Sequence, residues 1–200
     1  MSLLKVNYSR LQKDIEELAG IGRSEEDLGL YRMALTENDL QARKWLKGRI
    51  DEAGLDYFLD EAANIHARLH WDGKRASVMT GSHIDTVPGA GHLDGALGVI
   101  AGLECLRCLS EQDVPLQHPL ESVAFTDEEG RFGGMLGSQA ISGHLTPELI
   151  HQSKDIDGNS LSDVMAGLGM PAMNILRAQR RPESIHAFVE LHIEQGPVLE

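Results

Sequence analysis

Cationic residues, aromatics, cysteines and long apolar runs are all scarce in this chain of 200 residues. Eighteen Lys and Arg stand against 31 Asp and Glu, a formal net charge of −13 at pH 7. That balance repels a phosphate backbone and argues against nucleic acid as a partner. Aromatics make up only 4% of the residues, which removes the stacking platforms of single-strand binders. Two cysteines cannot build a secreted disulfide scaffold. No segment approaches the roughly 18 apolar residues that a membrane span needs; the best candidate, Leu97 to Leu106, is interrupted by Glu104. Met1 to Arg10 has no apolar signal core, so the expectation is a soluble, cytoplasmic protein with no membrane partner. What is present is an ordinary globular composition, 42% hydrophobic with 21 glycines, which excludes disorder. A chain of this length buries about 70% of the surface it exposes when unfolded.

Hydrophobic spacing predicts helices over Tyr8 to Ala19, ended by Gly20 and Gly22, and over Glu37 to Ala53. Thr36 offers the second helix an N-cap and Gly54 closes it, with Leu40, Trp45, Leu46 and Ile50 broadly on one face. Short strands are expected at Leu55 to Leu59, Ile65 to Leu69 and Ala76 to Thr80, the last two joined through the turn at residues 71–74. A helix over Gly95 to Leu109 buries Val99, Leu103 and Leu106. Strands follow at Leu120 to Thr126 and Ile185 to Ile193, with short, glycine-punctuated helices from Gly130 to Arg181 between them. Strands alternating with helices predict an α/β fold.

Four segments carry chemistry, each just past a predicted strand, where open α/β sheets bind ligands. In Gly81-Ser82-His83-Ile84-Asp85, an extended backbone points His83 and Asp85 to one side, so that the carboxylate can hold the imidazole. Asp94, at the mouth of the following helix, reads equally as an N-cap or as a carboxylate between two cations. Asp127, Glu128 and Glu129 are consecutive acids leaving a strand; they are either a solvated turn or a metal ligand beside a base. Glu190, His192 and Glu194 would share one face of the last strand. Two histidines with several carboxylates suit Zn, Mn or Co better than a thiolate-bound structural zinc or an oxygen-only Ca or Mg site. Cys105 and Cys108 fall within a helix and read as a structural pair of thiols. The glycines from Gly130 to Gly137 lack the Lys-Ser/Thr of a phosphate loop, and no G-x-S-x-G elbow is present. His66, His70, His118, His144, His151 and His186 read as surface or packing residues.

The stretches GSHIDTV (81–87), DGALGV (94–99), FTDEEGRFG (125–133) with GS (137–138), and ELHIEQGPVLE (190–200) resemble the di-metal amidohydrolases related to aminoacylases and zinc aminopeptidases. The resemblance is strongest to the branch of N-carbamoyl-L-amino-acid hydrolases, allantoate amidohydrolases and β-ureidopropionases; GLYRMALTENDLQARKWL (29–46) and DEAGL (51–55) fit the same pattern. It implies a zinc-exopeptidase-like catalytic domain with a mixed, largely parallel sheet. It implies His83 and His192 on one divalent metal, Glu129 on a second, and Asp94 bridging both, with Zn, Mn or Co as the pair. Glu128 would be the general base, Asp85 would orient His83, and Gln195 would contact a small ureido substrate. The sequence departs from the pattern at Ala63-Asn64, where Gly-Asn is usual, and in the loop Pro88-Gly89-Ala90-Gly91. Family chains are about twice as long. Residues 1–200 are therefore expected to be the N-terminal part of the catalytic domain, without the last histidine ligand, the lid that mediates homodimerisation and the groups that hold the substrate carboxylate. An acylase or peptidase with the same metal pair, and an inactive metal-binding domain, are the alternatives; EEG-RFG, HIEQG and the intact Glu128 favour the ureido hydrolase.

Overall fold

The computed structural model describes residues 4–112 and 114–198. Two helices open the chain, α1 (Tyr8–Gly20) and α2 (Glu37–Glu52), followed by strands β1 (Asp56–Leu59), β2 (Ile65–Leu69) and β3 (Ser77–His83). Then come α3 (Ala96–Glu111), β4 (Leu120–Phe125), the short helices α4 (Leu136–Ser142), α5 (Pro147–Gln152) and α6 (Leu161–Gly167), two 3-10 segments, and β5 (Ile185–Val189). The five strands form one mixed sheet in the order β1-β2-β4-β3-β5. β1 and β2 pair antiparallel, as do β2 and β4, whereas β3 runs parallel to both β4 and β5. The turn at residues 71–74 therefore joins two strands that are not neighbours, because β4 lies between them.

α1, α2 and α3 cover one region of the sheet through Leu18, Ala42, Leu46, Ile50, Val99, Ile100, Leu103 and Leu106, all buried against Ile65, Ala67 and Ala124. Helix α2 departs in detail from its sequence pattern. Leu40 is exposed, and the Thr36 hydroxyl donates to the Met33 carbonyl at 2.7 Å instead of capping the helix. Asp39 in the first turn reaches back to the Leu35 amide at 2.8 Å, which ties down the residue before the cap. A second cluster, centred on Leu136, Ile150, Leu161, Met165 and Ile175, packs α4–α6 beneath the loop that follows β4. The two cysteines are free thiols in α3, Cys105 exposed and Cys108 buried; desolvation and the neighbouring Glu104 push both upward.

The last strand is shorter than its alternation predicts. Pairing with β3 ends at Val189↔Thr80, and residues 190–195 leave the sheet to cross the start of α3, where a Cβ on Gly98 would stand only 2.5 Å from the Leu191 carbonyl. Glu190, His192 and Glu194 therefore do not share a strand face. Each takes a different partner: Ser82, Asp94 and the chain's own Gly196 amide respectively.

His66, read from sequence as a surface or packing residue, is buried in the sheet between two acids. Nε2 lies 3.4 Å from Asp60 and Nδ1 3.2 Å from Glu121. Burial alone would lower its pKa, but the contacts with Asp60 and Glu121 outweigh that and raise it. Glu121 is likewise held below its ordinary range despite burial, by His66, Ser77 and Arg180. A raised imidazole adds stability below its unfolded value of about 6.5 and loses it as pH rises through the folded value. The melting-temperature advantage of the wild type over His66→Gln should therefore shrink as pH rises above about 6.5. A pH-independent difference between the two melting curves would contradict this.

Candidate metal centre

β3 and β4 run parallel and deliver their C-terminal ends side by side, with His83 opposite Phe125. The loop 126–130 therefore emerges next to the His83 ring. α3 starts beside the same strand ends. Its N-cap is Gly95 at φ +61, and no side chain caps the helix. The N-cap reading of Asp94 is thereby set aside, and its carboxylate is free to turn toward the sheet end. Gly95 is required there for two reasons: its positive φ, and the His83 ring lying where its Cβ would be. Gly95→Ala should weaken divalent-metal binding about 10- to 100-fold by displacing that ring. Competition with a metal-sensitive dye measures this, and an unchanged affinity in a folded variant would contradict it.

His83, Asp94 and His192 each place one ligand atom within 4.8 Å of the others. Nδ1 of His83 lies 3.0 Å from the Asp85 carbonyl, and Nδ1 of His192 2.9 Å from the Ile193 carbonyl. A carbonyl can only accept, so each Nδ1 donates to it, and in the neutral ring the Nε2 lone pair is turned to the site. Those lone pairs face oxygens. His192 Nε2 is 3.3 Å from Asp94 Oδ1, and His83 Nε2 is 3.7 Å from Glu129 Oε1. Asp94 Oδ1 is buried and has no hydrogen-bond donor. With both rings neutral this is a set of converging acceptors, and a cation is what would satisfy it. The residues fit divalent metal, with N and O donors suited to Zn, Mn or Co.

Asp85 differs from its expected geometry. The main chain of Asp85 holds the His83 ring, while its buried carboxylate turns to the next loop and accepts the Glu128 amide at 3.3 Å and the Glu129 amide at 3.0 Å. The side chain thus fixes the acidic loop, and the carbonyl fixes the ligand. Within the loop the three acids diverge. Asp127, buried with φ +55, accepts the Phe132 amide at 3.0 Å and acts as a structural tether. Burial and the neighbouring Asp85 push its carboxyl up to about 7. Glu128 and Glu129 instead line a cavity of about 420 Å3 with His83, Glu190, His192 and Gln195. Burial raises both of their pKa values, and Asp94 and Asp85 add to the rise at Glu129. This is a group of acids short of positive charge, which a cation would supply.

Gln195 donates to Asp94 Oδ2 at 2.8 Å. Ser138, noted in sequence only as part of a motif, donates to Glu128 Oε2 at 3.2 Å. Two buried arginines, Arg32 and Arg43, are marked in sequence only by lying within the family-like stretch 29–46. Arg32 donates to the Ile84 carbonyl at 2.6 Å and to the Leu18 and Ile21 carbonyls at the end of α1. Arg43 bonds Asp39, the Ala63 carbonyl and Thr126. That position does not distinguish a buried arginine from a surface one.

Residues 64–196 match the protein-family model for peptidase family M28. The chain is 40% identical over 199 residues to an N-carbamoyl-L-amino acid amidohydrolase of Geobacillus stearothermophilus, covering 98% of this chain and 48% of that protein. It is 35% identical to an allantoate deiminase of Arabidopsis thaliana, over 86% of this chain and 34% of the relative. The crystal structure of a hydantoinase/carbamoylase family amidase from Burkholderia phymatum superposes with a TM-score of 0.88 at 34% identity, covering 100% of this chain and 48% of that one. The chain thus spans about half the length of the curated relatives it matches.

Proposed function

Because this chain belongs to peptidase family M28, in its hydantoinase/carbamoylase branch, we propose that it supplies the metal-side half of an enzyme that hydrolyses a linear ureido C–N bond. The observation that carries the reading is the convergence of the His83, His192 and Asp94 ligand atoms on one another, with Glu128 and Glu129 lining a cavity beside His83 and His192. His83 and His192 would hold one divalent ion, Glu129 a second, and Asp94 both, the metals being Zn, Mn or Co. When bound, such metals would supply the Lewis acidity that activates water and polarises the carbonyl under attack. Asp85 holds the Glu128 and Glu129 amides and so sets where the base stands. Ser138 orients one Glu128 oxygen, leaving the other to take the proton of the attacking water. As water adds to the ureido carbon, the bond to the terminal nitrogen breaks. Glu128 returns the proton to that nitrogen, and ammonia leaves with a carbamate that decays to carbon dioxide and the amine. N-carbamoyl-L-amino acids, N-carbamoyl-β-alanine and allantoate are the proposed substrate class, supported by the relatives' activities. A cytoplasmic homodimer, joined through a lid that these residues do not contain, completes the reading.

The name of the matching family favours one further reading, an amide or peptide hydrolase using the same metals. Metal removal tests the common ground. Chelation should abolish turnover by the complete reading-frame product, and Mn, Co or Zn should restore it; activity that survives exhaustive chelation would overturn both readings.

A further inference from the structure

One carboxylate in the cavity has no part in the chemistry above. Glu190 stands where residues 190–195 leave the sheet, and it lines two adjoining spaces. The first is the metal-side cavity. The second is a recess of about 290 Å3, lined by Met79, Phe125, Met135, Ile141 and Phe188, that opens beside His83 and Glu128. Glu190 lies outside the group of converging ligand atoms formed by His83, Asp94 and His192. One of its oxygens is fixed by the Ser82 hydroxyl at 2.6 Å. Ser82 is itself buried on β3, immediately before His83, so the carboxylate is anchored to the same strand end as the ligand. The other oxygen receives no hydrogen bond from the described residues.

A ureido group and an acyl group differ at one place next to the scissile carbon: the first ends in an NH2 with two donors, the second in a methyl. A hydrolase with this metal pair gains nothing from the metals in telling these apart, since both substrates offer the same carbonyl. Discrimination needs an acceptor that is committed neither to the metals nor to the water. Asp94, Glu129 and the two imidazoles are ligands, and Glu128 is the base. We infer that Glu190 is the residue that reads the substrate's terminal NH2, accepting one of its N–H bonds on the oxygen that Ser82 leaves free and so selecting ureido over acyl compounds. The apolar recess on its other side then takes the non-reacting part of the substrate. Glu190 is exposed without substrate; an acyl methyl placed against its free oxygen would displace water and offer no donor in return, which is the arrangement by which a site rejects an analogue lacking a hydrogen-bonding group. The inference rests on the reading of the site as a ureido hydrolase.

The test compares matched N-carbamoyl and N-acetyl derivatives of one L-amino acid on the metal-loaded complete reading-frame product. The acetyl compound is followed as a substrate or, where it is not turned over, as a competitive inhibitor. Metal content is measured by elemental analysis for every variant. Glu190→Ala should retain its metal and lower the carbamoyl preference about 10- to 100-fold, the value of one hydrogen bond to a charged acceptor. Glu190→Gln keeps an acceptor oxygen and should recover part of that preference. Glu194→Ala removes a neighbouring carboxylate that bonds the Gly196 amide and should leave the preference intact. A preference unchanged in Glu190→Ala, both compounds weakening together, would overturn the assignment, as would an equal loss in Glu194→Ala. A wild-type protein inactive on every ureido compound but active on the acetyl one would overturn the underlying functional reading instead.

Discussion

Glu128→Gln should lower ureido turnover by about 10²- to 10⁴-fold, the usual contribution of a positioned general base, while metal content stays unchanged. The substitution keeps the shape and the hydrogen bond from Ser138 at 3.2 Å, and removes only the ability to take a proton. Glu129→Gln should behave differently, losing metal as well as activity, because Glu129 lines the same cavity as His83 and His192 and would hold the second ion. The contrast between adjacent residues is what separates a base from a ligand. Steady-state kinetics paired with elemental analysis reads it directly. Equal metal loss in both variants would remove the distinction, and full activity in Glu128→Gln would remove the mechanism.

The largest expected effect on stability lies behind the site. Arg43 donates to Asp39 at 2.6 Å, to the Ala63 carbonyl at 2.6 Å and to Thr126 at 3.1 Å. The Asp39 side chain is fully buried. Arg43→Met would leave that carboxylate ionised and unpaired in the interior, at a cost of about 3–5 kcal/mol. Arg43→Lys keeps the charge but loses the three-way fork, so part of the loss should return. Asp39→Asn combined with Arg43→Met should be less unstable than Arg43→Met alone, because the orphaned charge is gone. Denaturant unfolding of the four proteins measures this. A cost below about 1 kcal/mol for Arg43→Met would show that the pair is solvated, contrary to its burial. Because Thr126 immediately precedes Asp127, the same variant should also disturb the acidic loop.

The sequence made the two ends of the catalytic architecture legible for different reasons. The strands and α3 announced themselves because alternation and helical spacing are local, and the acids and imidazoles stood out because they follow strands. The order of the strands was not legible: β2 and β3 are consecutive and joined by a good turn, yet β4 inserts between them through contacts far apart in sequence. The region after Val189 misled in another way. Ile185 to Ile193 alternates well, but alternation cannot register that Gly98 on α3 allows the Leu191 carbonyl to cross the helix start. His66 was passed over because its two acids, Asp60 and Glu121, meet it only across the sheet. The alternation of His83 and Asp85 predicts that the carboxylate holds the ring, whereas the Asp85 carbonyl does so; that is a matter of one peptide's orientation, beyond any pattern of residue types.

Ammonia release by the complete reading-frame product, with added Mn, Co or Zn, tests the central claim most directly. The panel is N-carbamoyl-L-amino acids, N-carbamoyl-β-alanine and allantoate, with an N-acetyl amino acid followed separately by free amine. Metal-dependent ammonia from at least one ureido compound is the predicted result, and the compound that yields it names the substrate. Amine from the acetyl compound alone, or silence across the panel from a protein carrying its metals, would contradict the assignment to ureido chemistry.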